Sequence, residues 1–395
     1  MSQQLLIFFS MFSAYMGFSL IDPVFPQLAR QLGMNETQTG LVITGAALMF
    51  ASTSPFWSKR SERVGRKNTI MVGLTGMSAG FLLFATVLRL GLAGVIEQPW
   101  IFPALVLSRV FVGGTFSAVA VSSQAYIADT TSGKNRTAGL ALIGAANGTG
   151  LIIGPGISGL LARFGLLIPI YFGGIFPLVI LLCVYLFLNK VDNIHSRTVR
   201  ERLSVWDARL WPFLIIGFAQ VIMITGLRVS SAFYFQDRLL LDDVQTASWV
   251  GGALMCAGLA TLTMQLGVIR RLRLPPLRLL RMGLPLSCSG LFLLLFATNF
   301  WMIGLAFLLV GAGFGLATPG FVAAVTLSVT PAEQDAVAGL TTLSQGSGGI
   351  FGPVIAGALY QLDMLLPYGF SMLLMGGLAL FVWLSPRVRH VAAVP

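Results

Sequence analysis

The sequence predicts an all-α integral membrane protein whose twelve transmembrane helices form two six-helix bundles related by a parallel repeat. Of its 395 residues, 56% are hydrophobic and only 10% are charged, which is too few charges to cover the surface of a soluble protein. The mean hydropathy is +0.84. Apolar runs long enough to cross a bilayer recur along the whole chain. A motif in the first half of the chain returns in the second half, which indicates the repeat.

Twelve apolar runs, bounded by charged or turn-forming residues, are predicted to span the membrane. They cover residues 5–26, 38–57, 68–88, 100–126, 137–162, 167–188, 210–235, 246–268, 280–298, 300–328, 337–361 and 366–385. The longest polar stretch lies between the sixth and seventh runs. We therefore predict an N-terminal bundle at 1–188, a cytoplasmic linker at 189–209 and a C-terminal bundle at 210–395.

The formal charge of +11 is concentrated in alternate loops. Nineteen of the 25 basic residues lie on one side, namely Lys59, Arg60, Arg63, Arg66, Lys67, Lys134, Arg136, Lys190, Arg197, Arg200, Arg202, Arg209, Arg270, Arg271, Arg273, Arg278, Arg281, Arg387 and Arg389. Because cytoplasmic loops carry an excess of Lys and Arg, we expect both termini to be cytoplasmic and the chain to lie in the inner (plasma) membrane. Basic residues confined to such loops do not predict a nucleic-acid partner, and the chain is expected to act as a monomer.

The internal repeat is visible in two ordered matches. Residues 150–159 are GLIIGPGISG and residues 348–357 are GGIFGPVIAG, at an offset of 198. The fragment Ala-Gly-Leu occurs at 138–140 and at 338–340, at an offset of 200, which predicts a small indel between the copies. The fifth and eleventh spans are therefore predicted to be equivalent, as in transporters built from parallel repeats.

Four stretches resemble motifs of the major facilitator superfamily, in its twelve-span drug:proton antiporter branch. They are the loop SKRSERVGRK at 58–67, Gly17 with PVFP at 23–26, Arg109 with Gly113, and the 150–159 motif. The loop departs from the family pattern at Ser58, Arg60 and Glu62. The resemblance implies the major facilitator fold, alternating access and export rather than uptake. It also implies a multidrug or siderophore exporter driven by the proton gradient.

The resemblance further implies that a charge cluster latches the two bundles. This conformational latch comprises Glu62, Arg63, Gly65, Arg66 and Asp129. The alternative is that the loop only sets membrane topology through its basic residues. A helix-kink motif is predicted from small residues that let helices approach closely and from prolines that remove a backbone donor. It comprises Gly150, Gly154, Pro155, Gly159, Gly352 and Pro353.

Three ionisable residues lie inside predicted spans, where charges are costly and usually functional. They are Asp22, Arg109 and Arg228, and Asp22 and Arg228 occupy equivalent places in the first and seventh spans. We predict that Asp22 carries the proton and that Arg109 modulates it; the alternative is a permanent salt bridge. The surplus of one positive charge favours an anionic or zwitterionic substrate, such as a siderophore or related metabolite, anchored by Arg228.

Other polar and aromatic residues within the spans are predicted to complete a substrate cavity with Asp22, Arg109 and Arg228. They are Tyr15, Phe18, Asn147, Gln220, Tyr234, Phe321 and Gln345. No enzyme, metal or cofactor is predicted, because His195 and His390 lack metal-spaced partners and no phosphate-binding loop occurs. A proton symporter that imports an organic anion remains an alternative. A channel fits less well, because it would need a continuous polar pore.

Overall fold

The computed structural model describes residues 3–97, 99–131, 133–191, 203–272, 274–330 and 333–385, without the side chains of 133–137, 270 and 335. Within these ranges every regular element is a helix. Several predictions lie outside the described residues: most of the linker, the C-terminal tail and both histidines. So do Arg197, Arg200, Arg202, Arg273, Arg387 and Arg389, and the side chains of Lys134, Arg136 and Arg270.

The helices follow the predicted spans. They are α1 Gln3–Leu20, α2 Phe25–Gln31, α3 Glu36–Val64, α4 Arg66–Leu92, α5 Ile101–Thr130, α6 Gly133–Leu161, α7 Ile168–Phe187, α8 Trp211–Leu239, α9 Asp243–Thr263, α10 Arg270–Leu272, α11 Pro276–Phe296, α12 Phe300–Leu327, α13 Gln334–Leu362 and α14 Leu366–Leu384. Eleven segments of the described chain are long and apolar enough to cross a membrane. The twelfth predicted span is α13, which is equally long but rich in Gly, Ser and Thr. The all-α membrane fold is thus confirmed.

The first span is broken, where the sequence predicted one continuous run over 5–26. The α1 helix ends at Leu20, residues 21–24 form a turn, and α2 begins at Phe25. Pro23 and Pro26 explain the break, because proline lacks a backbone donor and disfavours helical geometry in the residue before it. Asp22 is that preceding residue, so its carboxylate lies in the break.

The chain divides into two compact units. The first contains residues 3–191 and also residues 241–252 at the start of α9; the second contains residues 203–240 and 253–385. In the first unit α5 packs on both α3 and α4, and α1 packs on α6. In the second unit α12 packs on α11, and α8 packs on α13. Helices at corresponding places in the two units therefore pack on each other in the same way.

Close helix contacts at glycines fix the register of the repeat. A Cβ on Gly154 would meet the side chain of Ser19 and the carbonyl of Met16, while one on Gly352 would meet the side chain of Thr225 and the carbonyl of Ile222. Gly154 and Gly352 differ by 198, and Ser19 and Thr225 differ by 206. The α1 and α8 helices are thus equivalent at a shift of 206, and α6 and α13 at a shift of 198.

The same comparison aligns the remaining packed helices. Gly113 on α5 contacts the backbone of Ala46, and Gly311 on α12 contacts the backbone of Ala257, again a shift of 198 for α5 and α12. Gly73 and Gly283 give a shift of 210 for α4 and α11. Both α6 and α13 are unbroken helices, and the contacts of Gly150 and Gly348 give the shift of 198 again. The indel predicted from the Ala-Gly-Leu fragments, which lie upstream of these contacts, stays a prediction.

Candidate functional site

Arg109 is the most unusual charged residue of the first unit. It projects from α5, is fully buried, and its three guanidinium nitrogens have no hydrogen-bond partner among the described residues. Its Cζ lies 5.3 Å from the ring centre of Phe18, 5.9 Å from that of Phe81 and 5.7 Å from that of Phe84. Cation–π attraction is strongest when the cation is desolvated, so these three rings replace part of the hydration that Arg109 has lost.

Asp22 is the acidic residue that acts on Arg109 electrostatically. Only 6% of its surface is exposed, and it lies in the break between α1 and α2. Its backbone N–H donates to the carbonyl of Ser19 at 3.3 Å. A carboxylate in a helix break can move more easily than one fixed within a helix. The two residues predicted to serve proton coupling thus lie within electrostatic range of each other inside a single unit, without a hydrogen bond between them.

A second aromatic group extends this site toward α3. Phe116 on α5 lies 4.9 Å from Tyr15, 5.5 Å from Phe18 and 4.9 Å from Phe50 between ring centres. Tyr15 and Phe18 are half-buried, while Phe116 is nearly fully buried. Phe18 therefore links the Phe116 cluster to the Arg109 guanidinium.

The second unit has opposite chemistry at the equivalent positions. The shift of 206 places Arg228, half-buried in the continuous helix α8, where the first unit has Asp22. The shift of 198 places Phe307, which is 1% exposed, where the first unit has Arg109. Proton chemistry of the Asp22–Arg109 type therefore has no counterpart at these positions, where an arginine and a phenylalanine stand instead.

Amide residues complete the predicted set. Asn147 on α6 and Gln345 on α13 occupy equivalent positions at the shift of 198, and both are half-buried. Gln220 on α8 is 2% exposed, and the hydroxyl of Thr318 on α12 donates to its Oε1 at 3.0 Å. The amide nitrogen of Gln220 has no acceptor among the described residues.

Two predicted cavity residues are instead engaged in packing. Tyr234 is fully buried, and its hydroxyl donates to the carbonyl of Leu294 at 2.6 Å. Phe321 is also fully buried, with its ring against Gly217. In this structure neither side chain offers a free polar group or an exposed ring face to a substrate.

At the α3–α4 corner, Arg66 forms the central contact of the predicted latch. Its Nε donates to Asp129 at 2.9 Å and its Nη1 to Ser61 at 2.5 Å. The Arg66 and Asp129 side chains are only 8% and 11% exposed. Gly65, with φ of 95°, forms the turn that joins the two helices, while Glu62 and Arg63 are exposed. Whether the group latches the two bundles stays a prediction.

The residues of the predicted kink motif lie at helix crossings. A Cβ on Gly150 would lie 2.8 Å from the carbonyl oxygen of Phe12. One on Gly159 would lie 3.0 Å from the carbonyl oxygen of Ala247, and the Ser248 hydroxyl donates to the Gly159 carbonyl at 3.0 Å. Pro155 and Pro353 stand inside α6 and α13. Contacts this close to the backbone of the crossing helix leave no room for a side chain at Gly150 or Gly159.

Sequence reasoning missed the residues that surround the charges. Phe81 and Phe84 are three apart on α4, a spacing that puts them on one helix face, but the sequence does not show that this face meets Arg109. Phe116 and Thr318 were missed for the same reason. Among the described residues no group of His, Cys, Asp or Glu could hold a metal ion.

Comparison with known proteins gives a consistent result. Residues 7–285 match the sequence pattern of the Major Facilitator Superfamily. Multidrug resistance protein 1 of Bacillus subtilis is 28% identical over 384 residues, covering 95% of both chains. Quinolone resistance protein NorA of Staphylococcus aureus (strain COL) is 25% identical over 376 residues, covering 92% of both chains. The crystal structure of the nucleoside transporter NupG (D323A mutant) superposes with a TM-score of 0.75 at 12% identity, over 96% of this chain and 98% of that one.

Proposed function

Because the chain belongs to the major facilitator superfamily, and is thus a multi-pass membrane transporter and not an enzyme, we propose that it exports small organic molecules in exchange for protons by alternating access. Two relatives with whole-length similarity are named for multidrug and quinolone resistance. Those names describe the relatives. They support efflux here because the similarity extends over nearly the whole chain.

The observation that carries the proton-coupling proposal is the Asp22–Arg109 pair. Arg109 is fully buried, and within the described part of the chain three aromatic rings and the Asp22 charge compensate it. Protonation of Asp22 removes that compensating charge. A buried charge without compensation is costly, so a proton on Asp22 destabilises the arrangement around Arg109 and favours another one.

This link gives a physical route from proton binding to conformational change. A ligand shifts an equilibrium between two states only by its difference in affinity for them. The affinity of Asp22 for a proton differs between two states if Arg109 lies near the carboxylate in one state and away from it in the other. The turn at residues 21–24 lets Asp22 change position without breaking a continuous helix.

The substrate proposed is an anionic or zwitterionic organic molecule, a class that includes siderophores and some amphiphilic drugs. Arg228 is the proposed anchor, because a guanidinium binds carboxylates with paired, charge-assisted hydrogen bonds. The unit that contains Arg228 has no acid at the place equivalent to Asp22, which arginine occupies instead. That asymmetry supports recognition of anions by the second unit and handling of protons by the first.

The proposed location is the inner (plasma) membrane, with both termini and the central linker cytoplasmic. This rests on the distribution of Lys and Arg among the loops. Accessibility of single introduced cysteines at Ser58 and at Gly165 to a membrane-impermeant thiol reagent, in a variant without Cys183, Cys256 and Cys288, tests the orientation. Labelling of intact cells at position 58 contradicts it.

Purified protein in vesicles with an imposed pH gradient tests the function. An exporter of the proposed kind takes up substrate into vesicles as protons leave them. The second candidate is a symporter for an organic anion, which the positive surplus within the spans also favours. It would take up substrate as protons enter, and substrate flux without any proton flux would contradict both.

A further inference from the structure

The second unit contains a buried side-chain amide, that of Gln220. Its oxygen accepts a hydrogen bond, whereas its nitrogen has no acceptor within the described chain. Gln220 lies on α8 at 2% exposure. Thr318 on α12 donates its hydroxyl to Gln220 Oε1 at 3.0 Å. Leaving a buried donor without a partner is costly, because its lost hydration is not replaced. A native structure that keeps such a donor calls for an explanation other than packing.

The first unit shows that the fold does not need this pair. At the shifts of 206 and 198, Gln220 corresponds to Ala14 and Thr318 corresponds to Ala120. Both alanines are buried, and the equivalent helices α1 and α5 also pack on each other. The second unit therefore carries an amide and a hydroxyl where the first unit has only methyl side chains.

The backbone next to Thr318 is also specific to the second unit. Pro319 stands inside α12, and the corresponding residue of α5 is Val121. A proline within a helix removes one backbone hydrogen bond. In transmembrane helices the backbone groups that a proline frees are satisfied by neighbouring helices, polar side chains or water. Thr318 itself is half-buried, so the contact lies at the edge of the packed region.

We propose that Gln220 and Thr318 form a subsite that binds a hydrogen-bond acceptor of the substrate, such as a carbonyl or carboxylate oxygen. Gln220 supplies the N–H donors. Thr318 is a positioning residue, since its hydroxyl occupies the amide oxygen and leaves the amide nitrogen to face the ligand. The inference rests on the proposed function and predicts that the subsite strengthens the binding of those substrates that carry an acceptor oxygen.

Two probes of opposite chemistry separate this subsite from general effects. Norfloxacin has a ring carbonyl and a carboxylate, whereas ethidium is a cation without oxygen. Transport of each is measured in proteoliposomes for the full chain and for the variants Gln220→Leu, Thr318→Val and Thr318→Ser. Thr341→Val is the matched control, because Thr341 is also buried but its hydroxyl donates only to Val337 of its own helix, at 2.9 Å.

Gln220→Leu is expected to raise the KM for norfloxacin about tenfold, the effect of losing one hydrogen bond to a buried donor. Thr318→Val should act in the same direction and Thr318→Ser should restore the wild-type value. The kcat for norfloxacin and both constants for ethidium should stay unchanged.

Wild-type KM values for norfloxacin in both Gln220→Leu and Thr318→Val would overturn the inference. An equal loss of both probes in these variants would also overturn it, since that is the result of a structural role. Transport of norfloxacin by the wild-type protein without any counterflow of protons would contradict the proposed function, whereas the KM comparison among the variants decides on the subsite.

Discussion

Arg228 occupies in the second unit the position that Asp22 occupies in the first. The close contacts of Gly154 with Ser19 and of Gly352 with Thr225 fix a shift of 206 residues, and continuing it by three residues pairs Asp22 with Arg228. The repeat has thus kept the packing of these helices and reversed the charge three residues further on. At this position the two units therefore differ both in charge and in backbone, since only the first unit has a helix break here.

Replacing Asp22 with Asn should abolish proton-coupled transport while substrate binding persists. Asparagine has nearly the same shape but does not titrate, so Arg109 would have no charge that a proton can remove. Proton flux with a pH-sensitive dye and substrate-induced thermal stabilisation measure the two effects. Asp242→Asn is the control, since Asp242 is exposed and caps Gln245 through an oxygen that asparagine retains. Coupled transport by the Asp22 variant would refute the assignment.

Replacing Arg228 with Ala should remove transport of anionic substrates and leave that of cationic dyes intact. A hydrogen bond to a charged group contributes about 1.5–3 kcal/mol, which corresponds to a tenfold or greater rise in KM for the anion. Competition between a carboxylate substrate and ethidium gives the measurement. Arg163→Ala, at an exposed position, is the matched control. Equal transport of anions by variant and wild type would be incompatible with an anchoring role.

Replacing Asp129 with Asn should lower the stability of the first unit. The substitution places a neutral amide where the buried Arg66 guanidinium has its carboxylate partner at 2.9 Å. Removing one member of a buried ion pair costs about 3–5 kcal/mol. Thermal unfolding in detergent should show a clear decrease in melting temperature. Glu62→Gln, at an exposed site of the same corner, should change it little; equal melting temperatures for the two variants would argue against a buried pair.

Replacing either Gly113 or Gly311 with Ala should destabilise the protein to a similar extent. In both units the added Cβ would overlap the backbone of the crossing helix, at Ala46 or at Ala257. Overpacking typically costs about 1–3 kcal/mol. Gly346→Ala is the control, because no atom lies within 4 Å of its Cβ position and alanine favours the helix by about 0.5–1 kcal/mol. A neutral effect at either crossing would show that the register is not as described.

The pH dependence of transport between pH 5 and 8 should not originate at Glu333. The side chain of Arg209 donates to Glu333 at 2.9 Å and lowers the pKa of this carboxyl to about 2. Because that pKa is depressed, the ion pair is complete above pH of about 4.5 and is lost only as the pH falls toward about 2. Glu333→Gln should leave the shape of the pH–rate profile unchanged, while Asp22→Asn should flatten it. A shifted profile in the Glu333 variant contradicts this.

Much of the fold could be predicted from the sequence, because the bilayer imposes its thickness on every span and lipid excludes polar backbone. All twelve spans overlap observed helices for that reason. The break at Asp22 could also have been inferred, since Pro23 restricts it. The surroundings of Arg109 could not be predicted, because the phenylalanine rings around it come from helices that are distant from α5 in sequence.

The sequence by itself determined the class of protein, the number of spans and the identity of the costly charges, since these depend on composition and local pattern. Only the tertiary structure decided which charges are compensated and how. Helix packing encloses Arg109 in three phenylalanine rings, engages Tyr234 and Phe321 in packing, and leaves the amide nitrogen of Gln220 as a donor. The physical reason is that burial and hydrogen bonding depend on the facing helix, and the register between helices is fixed by contacts such as those of Gly154 and Gly352.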